Sequence, residues 1–297
     1  MKVAVAQLAP GNDLAQNVEQ TVHVLREAQR HGARWVVLPE LCASPYQLDS
    51  EPLESWAEEI PQGRTLQRWL AEAKRLRIYC VAGLLERAGD RYFNTAVVLG
   101  PRGLLGCYRK AHLFGWERAR LTAGNHAYLA VETPQARLGV LVCYDLRFVE
   151  AVRLSALGGL QVLCVPAAWS DAGKPQPWDR YGFSGAAHLA LGHAYANRLF
   201  VLCANRVGKE GKVRYLGNSL IAGPSGHPLA GPASATEPAL LVQEINPGLA
   251  DNKRVGAHND ILADRRADLY SLEAREPDIS ESSRPRRQER HRERGRN

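Results

Sequence analysis

Three residues able to take part in catalysis each stand at the end of a short apolar segment. Glu40 ends RWVVLPE, Lys110 ends LLGCYRK and Cys143 ends RLGVLVC. Such segments are typical of buried β-strands, and in α/β sheets ligands bind in the crevice beyond the carboxyl ends of the strands. We therefore expect a carboxylate, an ammonium group and a thiol to share one partly desolvated pocket.

This set of side chains is sufficient for acyl transfer. The thiolate is the nucleophilic form of cysteine, and a neighbouring carboxylate can take the thiol proton. The ammonium group of Lys110 can stabilise an oxyanion, and the backbone N–H of Tyr144 can be its second donor. Taken singly, each residue has a structural alternative, as a core cysteine, a surface lysine or a surface acid. Only their joint arrangement favours catalysis.

The elements that must position these residues alternate between short apolar strands and helical patterns. Asp13 is a suitable N-cap for the first helix, and Gly32 lies just beyond its end. About a dozen strands are too many for one open sheet, because twist splits large sheets. The strands are apolar throughout, and some are paired as hairpins. The sequence therefore predicts an α/β fold, a sandwich of two mixed β-sheets with outer helices.

The composition indicates a globular chain of 297 residues, 45% of them hydrophobic. No apolar run is long enough to span a bilayer, and the N-terminus is typical of a strand rather than a signal peptide, so we expect a cytoplasmic protein. We expect one domain over residues 1–274 and a disordered tail over 275–297. The tail holds eight Arg and five acidic residues, +3 of the net charge of +7. Its alternating charges and lack of aromatic residues favour a solvated tail over nucleic-acid binding.

Neither a disulfide framework nor a zinc site is indicated. The six cysteines are spread without a CxxC pair, and His188 and His193 are five apart, not the four that places two rings on one helical face. The sequence has no GxGxxG fingerprint and no phosphate-binding loop that ends in Lys-Ser or Lys-Thr. We therefore expect no metal and no organic cofactor.

Taken together, these segments resemble the carbon–nitrogen hydrolase (nitrilase) superfamily. VVLPELCASPY, YRKAHLFGWERARLTAG and LGVLVCYDLRFVEAVR are similar to the glutamate, lysine and cysteine motifs of that family, in the same order. The similarity covers roughly residues 1–272. The resemblance implies an α-β-β-α sandwich and monomers that pair through helices, and hence a homodimer or a larger homo-oligomer.

The resemblance also implies a role for each residue. Glu40 corresponds to the general base, Lys110 to the electrostatic stabiliser and Cys143 to the nucleophile. Glu117 matches a fourth residue, an acid that orients Lys110 and the substrate, with a surface ion pair as its structural alternative. The implied reaction is hydrolysis of a non-peptide amide bond, with release of ammonia and a thioester acyl-enzyme.

The substrate is indicated less sharply than the reaction. Tyr46, Trp116 and Trp169 are candidates for the pocket walls, with core packing as the alternative for each. CYDLRF differs from the CWDQWF of carbamoylputrescine hydrolases, and Tyr144 stands where nitrile-cleaving members usually have Trp. The similarity favours a small aliphatic amide, such as an amino-acid amide or 5-aminopentanamide.

Two alternatives stay open. One is an ω-amidase, for which Arg147 or Arg206 could hold a substrate carboxylate, or an N-carbamoyl amine hydrolase. A catalytically silent binding or scaffold protein of the same fold is the second, and the intact acid, lysine and cysteine argue against it. The chain also departs from common family residues at three positions near the motifs, which affects the pocket walls: Leu121, Val149 and Ala168.

Overall fold

Apolar segments of the sequence form the strands of two sheets, and the segments between them form helices. The structure, a computed structural model of the chain, describes residues 1–174 and 178–274, so the predicted tail lies outside the described residues. The helices are α1 (Leu14–Arg30), α2 (Arg64–Leu76), α3 (Glu117–Arg120), α4 (Val149–Leu157) and α5 (Gly185–Asn197). The strands are β1 (Lys2–Gln7), β2 (Trp35–Val37), β3 (Tyr79–Ala88), β4 (Arg91–Gly100), β5 (Gly103–Arg109), β6 (Leu129–Glu132), β7 (Arg137–Val140), β8 (Val162–Pro166), β9 (Phe200–Ala204), β10 (Val207–Glu210), β11 (Val213–Leu216), β12 (Leu220–Ala222), β13 (Pro228–Ala230) and β14 (Ala239–Glu244).

Both main sheets are mixed and have six strands. The first has the order β14-β1-β2-β3-β4-β5, in which β1, β2 and β3 run parallel to one another and the outer strands are antiparallel to their neighbours. The second has the order β13-β12-β9-β8-β7-β6, with β7, β8 and β9 parallel. The strands β10 and β11 form a separate hairpin. Each main sheet therefore has three central parallel strands with antiparallel strands on both sides.

Alternate residues of the central strands separate the layers of the molecule. In β1, Val3 and Val5 belong to the core between the sheets, whereas Ala4 and Ala6 pack in the cluster that contains α1 and α2. The second sheet contacts α5 through β9 and β12, and α4 packs beside α5. This arrangement confirms the predicted α-β-β-α sandwich of two mixed sheets with outer helices.

The ends of β2, β5 and β7 bring the segments that carry Glu40, Lys110 and Cys143 to the same region. Two of these strands, β2 and β7, are shorter than the sequence indicates. The strand β2 ends at Val37, three residues before Glu40, and β7 ends at Val140, three residues before Cys143. Lys110 directly follows β5. The chain therefore continues beyond β2 and β7 in tight turns that carry the side chains. None of the described helices is long and apolar enough to cross a membrane.

Candidate active site

Lys110 lies at the centre of a buried charged cluster. Its Nζ donates to Glu40 Oε1 at 2.7 Å, and to Glu117 Oε2 at 2.8 Å and Oε1 at 3.0 Å. All three side chains are fully buried. The structure therefore brings Glu117 into the cluster as a buried partner of Lys110, rather than into a surface ion pair. A buried ion cluster of this kind needs each charge to be paired.

Backbone contacts fix the position of Lys110. Its N–H donates to the carbonyl oxygen of Asn94 on β4, and its own carbonyl accepts from the N–H of Gly124, both at 2.8 Å. Gly124 approaches so closely that a Cβ there would lie 2.0 Å from the carbonyl oxygen of Arg109. A glycine is therefore required at this position for the segment after Glu117 to pack against the end of β5.

The turn that carries Glu40 packs directly on strand β3. A Cβ added to Gly83 would lie 2.6 Å from the amide nitrogen of Leu41 and 2.7 Å from Glu40 Cα. Leu41 itself has a positive φ of 45°. The Glu40 turn therefore depends on a glycine in β3 and on a left-handed residue, two local requirements that hold the carboxyl group in one place.

Arg206 stabilises the same turn through hydrogen bonds to its backbone. It is fully buried, and its Nη1 donates to the carbonyl oxygens of Leu41 at 2.9 Å and Ser44 at 3.0 Å, while its Nη2 pairs with Glu210. Both terminal nitrogens of Arg206 are committed to these groups, which argues against a role in holding a substrate carboxylate, although its buried Nε has no hydrogen-bond partner among the described residues. Arg147, the other candidate, is exposed.

Cys143 occupies a sharp turn at the end of the β7 segment. It begins a 3₁₀ helix, Cys143–Arg147, that precedes α4, and its φ is +48°, an unusual value for a residue with a Cβ. The side chain is 7% exposed, the largest exposure among the four predicted catalytic residues. The N–H of Ala168 donates to Sγ at 3.5 Å. The backbone of Ala168 thus adds a donor beside the thiol.

The pKa values in the cluster favour a protonated thiol at rest. Burial raises the pKa of Glu40, and Lys110 opposes this shift. Burial also raises the pKa of Cys143, the Glu40 charge adds to the effect and Lys110 opposes it. Burial alone would lower the pKa of Lys110, but the Glu117 and Glu40 carboxylates raise it. Lys110 is therefore an ammonium group, and Cys143 needs a base in order to react.

Glu40 is placed to be that base. Its Oε1 accepts from Lys110, whereas its buried Oε2 has no hydrogen-bond partner among the described residues. The Cys143 thiol is a neighbour of this carboxyl group, and their interaction lowers the pKa of Glu40. One carboxylate oxygen is therefore available to receive a proton.

Asn94 is a member of the cluster that the sequence reasoning missed. Its Nδ2 donates to Glu40 Oε1 at 2.7 Å and to Glu117 Oε1 at 2.6 Å, so that it bridges the two acids. The residue is 1% exposed, on β4. The available signal was an amide side chain within the apolar segment FNTAVVLG, because a buried polar group requires a partner.

The predicted pocket residues surround the cluster in different ways. The Tyr46 hydroxyl donates to Glu117 Oε1 at 3.2 Å, and its ring contacts that of Trp116 edge-on. The half-buried Tyr144 follows Cys143 directly, and Trp169 is packed in the core that contains Cys143. Tyr46 is therefore tied to an acid of the cluster, and contact of all four residues with substrate stays a prediction. Within residues 1–174 and 178–274, no group of three or more His, Cys, Asp or Glu is placed to hold a metal ion.

The sandwich and the buried thiol, acids and lysine define a hydrolase of the cysteine type. Residues 2–254 match the model of the carbon-nitrogen hydrolase family, so the chain belongs to that family. It is a cysteine-based carbon–nitrogen hydrolase of the amidase type.

Two curated relatives match over nearly their whole length. The chain is 35% identical to a nitrilase of Pyrococcus abyssi over 272 residues, 91% of this chain and 99% of the relative. It is 30% identical to the omega-amidase NIT2 of Homo sapiens over 288 residues, 93% of this chain and 99% of the relative. These relatives bear different names, so the match does not by itself select the substrate.

Solved structures of an amidase from Nesterenkonia sp. AN1 are similar to this chain. A mutant that shows Michael addition of acrylamide at the active site cysteine has a TM-score of 0.73 and 25% identity, and the match covers 91% of this chain and 98% of that one. A cysteine-to-alanine mutant in complex with butyramide has the same TM-score and 26% identity, with 91% and 95% covered.

Proposed function

We propose that the protein hydrolyses a small aliphatic amide to a carboxylic acid and ammonia through a thioester on Cys143. The observation that carries this proposal is the carboxyl group of Glu40, which interacts with the protonated Cys143 thiol, has a buried and unpartnered Oε2, and accepts from an ammonium group 2.7 Å from Oε1. The relatives support it, since they include amidases and omega-amidases of nearly the same length.

The first half of the reaction forms the thioester. Glu40 takes the proton of Cys143 as Sγ attacks the carbonyl carbon, and the new oxyanion is held by Lys110 Nζ and the N–H of Tyr144. The C–N bond then breaks, and the proton on Glu40 passes to the leaving nitrogen, which departs as ammonia. The N–H of Ala168 supports the sulfur throughout.

The second half returns the enzyme to its starting state. Water attacks the thioester carbon while Glu40 takes one of its protons, and the same two donors hold the oxyanion. The C–S bond breaks, the acid product leaves, and the proton on Glu40 returns to Cys143. Splitting one difficult hydrolysis into two easier steps is the benefit of covalent catalysis. The chemistry uses only groups of the chain and water.

Glu117 and Lys110 act as a pair in this proposal. Two carboxylates around Lys110 raise its pKa and keep it charged, as oxyanion stabilisation requires. Glu117 also accepts from the N–H of Phe114 at 2.7 Å, which fixes the acid to the backbone of its own loop. We therefore assign Glu117 the orienting role and Glu40 the proton transfers.

The substrate we propose is an amino-acid amide or a linear amide such as 5-aminopentanamide. Tyr46, Trp116 and Trp169 would form an aromatic wall for an aliphatic chain or a terminal ammonium group. The commitment of Arg206 to the backbone removes one support for a dicarboxylic monoamide, the type of substrate that an omega-amidase accepts. An N-carbamoyl amine and a nitrile compete with these amides as candidate substrates, so the assay must include both.

We also propose that the protein forms a homodimer or a larger homo-oligomer and that it is located in the cytoplasm. The support for pairing is the family to which the chain belongs, and sedimentation velocity of the full chain tests it. A single monomeric species at micromolar concentration would contradict this part of the proposal.

Ammonia release from a panel of amides tests the function. The panel contains 5-aminopentanamide, D- and L-amino-acid amides, butyramide, an N-carbamoyl amine, 2-oxoglutaramate and an aliphatic nitrile. We expect one class to react, with Cys143→Ala inactive and Cys107→Ala, which removes an exposed thiol, unaffected. Mass spectrometry of the wild type, quenched with acid during turnover of the best substrate, should show acylated Cys143. Activity that survives Cys143→Ala would refute the mechanism, and a folded but silent wild type would favour the scaffold hypothesis.

A further inference from the structure

Behind the nucleophile lies a buried carboxylate, that of Asp145, which the proposed reaction does not use. Its Oδ1 accepts from the N–H of His112 at 2.9 Å and lies 2.7 Å from His112 Nδ1. Its Oδ2 accepts from the N–H of Val142 and from the hydroxyl of Tyr108, both at 3.0 Å. Asp145 is fully buried. Four donors for one carboxylate are more than a generic surface acid would gather.

These donors come from the two segments that carry the reacting groups. Tyr108 and His112 lie two residues before and two residues after Lys110, and Val142 directly precedes Cys143. The Asp145 carboxylate therefore joins the Lys110 segment to the Cys143 turn through both of its oxygens.

The Cys143 turn needs such an anchor. Its φ of +48° is a conformation that costs free energy for a residue with a Cβ, and it persists only where surrounding contacts hold it. The bond from the N–H of Val142 to a charged carboxylate is of the strong, charge-assisted kind. Burial raises the pKa of Tyr108 well above its usual value, so its hydroxyl stays protonated and can donate.

We propose that Asp145 is a positioning residue, which fixes the Cys143 turn against the Lys110 segment and so sets the place of the thiol relative to the ammonium group and Glu40. His112 completes the link from the solvent side. Its side chain is 33% exposed, and its ring stacks on Phe148 with centroids 3.5 Å apart. The inference rests on the proposed function, because the thiol and the ammonium group are positioned for that reaction.

The partly exposed position of His112 allows a matched pair of variants. His112→Asn keeps an N–H donor near the place of Nδ1, whereas His112→Leu has no side-chain donor, and both lose the imidazole that stacks on Phe148. We expect His112→Leu to lower kcat about tenfold, and His112→Asn to stay within about threefold of the wild type, with KM little changed in both. The rate at which iodoacetamide alkylates Cys143, corrected with Cys143→Ala, should fall in parallel with kcat.

Asp145→Asn tests the centre of the link. Its amide group would turn an N–H toward one of the four donors, so we expect kcat to fall about a hundredfold in folded protein, with a smaller change in KM. A fall in melting temperature with kcat and alkylation rate unchanged would overturn the proposal, as would equal losses in His112→Asn and His112→Leu. If Asp145→Asn does not fold, the His112 pair still decides. If the wild type is inactive on all amides, but the variants still differ in the alkylation rate of Cys143 as expected, the result would count against the proposed function and not against the positioning role.

Discussion

Replacement of Asn94 by leucine should separate the two acids of the active site from their shared donor. Asn94 Nδ2 donates to Glu40 at 2.7 Å and to Glu117 at 2.6 Å, in a fully buried setting. A hydrogen bond to a charged group contributes about 1.5–3 kcal/mol. If the free energy of the lost bond to Glu40 is added in full to the activation free energy, kcat/KM falls about 10- to 100-fold at the pH optimum, since 1.36 kcal/mol is tenfold in rate.

The pH profile should change as well. The Asn94 N–H stabilises the ionised form of Glu40, so its removal adds to the burial that already raises the pKa of Glu40. Because the base must be ionised to take the thiol proton, activity is lost as pH falls through this pKa. The acid limb of kcat/KM therefore moves to higher pH in Asn94→Leu.

The assay is ammonia release over pH with the best amide of the panel. Asn197→Leu is the matched control, because Asn197 is also buried and its Nδ2 donates to the carbonyl oxygen of His193 on α5. We expect the control to lose stability and to keep its acid limb. An Asn94→Leu protein that is folded, within about twofold of wild-type kcat/KM and unchanged in its acid limb would refute the reasoning, since it would assign less than about 0.5 kcal/mol to the bridge.

Three further predictions concern the supports of the site and of the fold. Gly83→Ala should displace Glu40 Cα, 2.7 Å from the added Cβ, and lower kcat about a hundredfold; wild-type kinetics would contradict this. Arg206→Leu should lower the free energy of unfolding in urea by about 3–5 kcal/mol, because it leaves buried carbonyl groups and an acid without their donor. An unchanged urea midpoint would refute this. Hydrogen bonds from arginines, that of Arg26 foremost, hold the pKa of Glu72 at about 2, below its usual 4.5. Glu72→Gln should therefore lose about 1 kcal/mol at pH 7, a small value because the arginines are partly exposed. This deficit should shrink only as pH falls from 4.5 toward 2, and a constant deficit down to pH 3 would contradict it.

The three main residues of the site could be predicted, because the ends of strands can be recognised in the sequence. Glu40, Lys110 and Cys143 each follow an apolar run, and the fold places the ends of those runs together. The sheets themselves were predictable for a related reason, since a dozen apolar strands between helices have few ways to be covered on both faces.

The groups that position the catalytic atoms were harder to predict. Asn94 is 54 residues from Glu40, and Asp145 is 37 residues from Tyr108, and a single sequence carries no record of such pairings. Arg206 shows the converse case. A lone arginine near a motif suggests a substrate partner, but only the structure shows that backbone carbonyls from the Glu40 turn already occupy it. Hydrogen-bond satisfaction is a property of the folded neighbourhood, whereas strand periodicity is local.

The charge of the buried cluster explains why Cys143 rests as a thiol beside the Glu40 carboxylate, rather than as a preformed thiolate. Two carboxylates and one ammonium group leave one net negative charge inside the protein. A thiolate formed by loss of its proton to solvent would add a second, and burying an additional uncompensated charge is costly. Transfer of the proton from Cys143 to Glu40 leaves the net charge unchanged, because one anion replaces another within the reach of Lys110. The deep burial that raises the pKa of the thiol therefore does not obstruct its attack, provided that the proton stays inside the cluster, and the unpartnered Oε2 of Glu40 is the place for it.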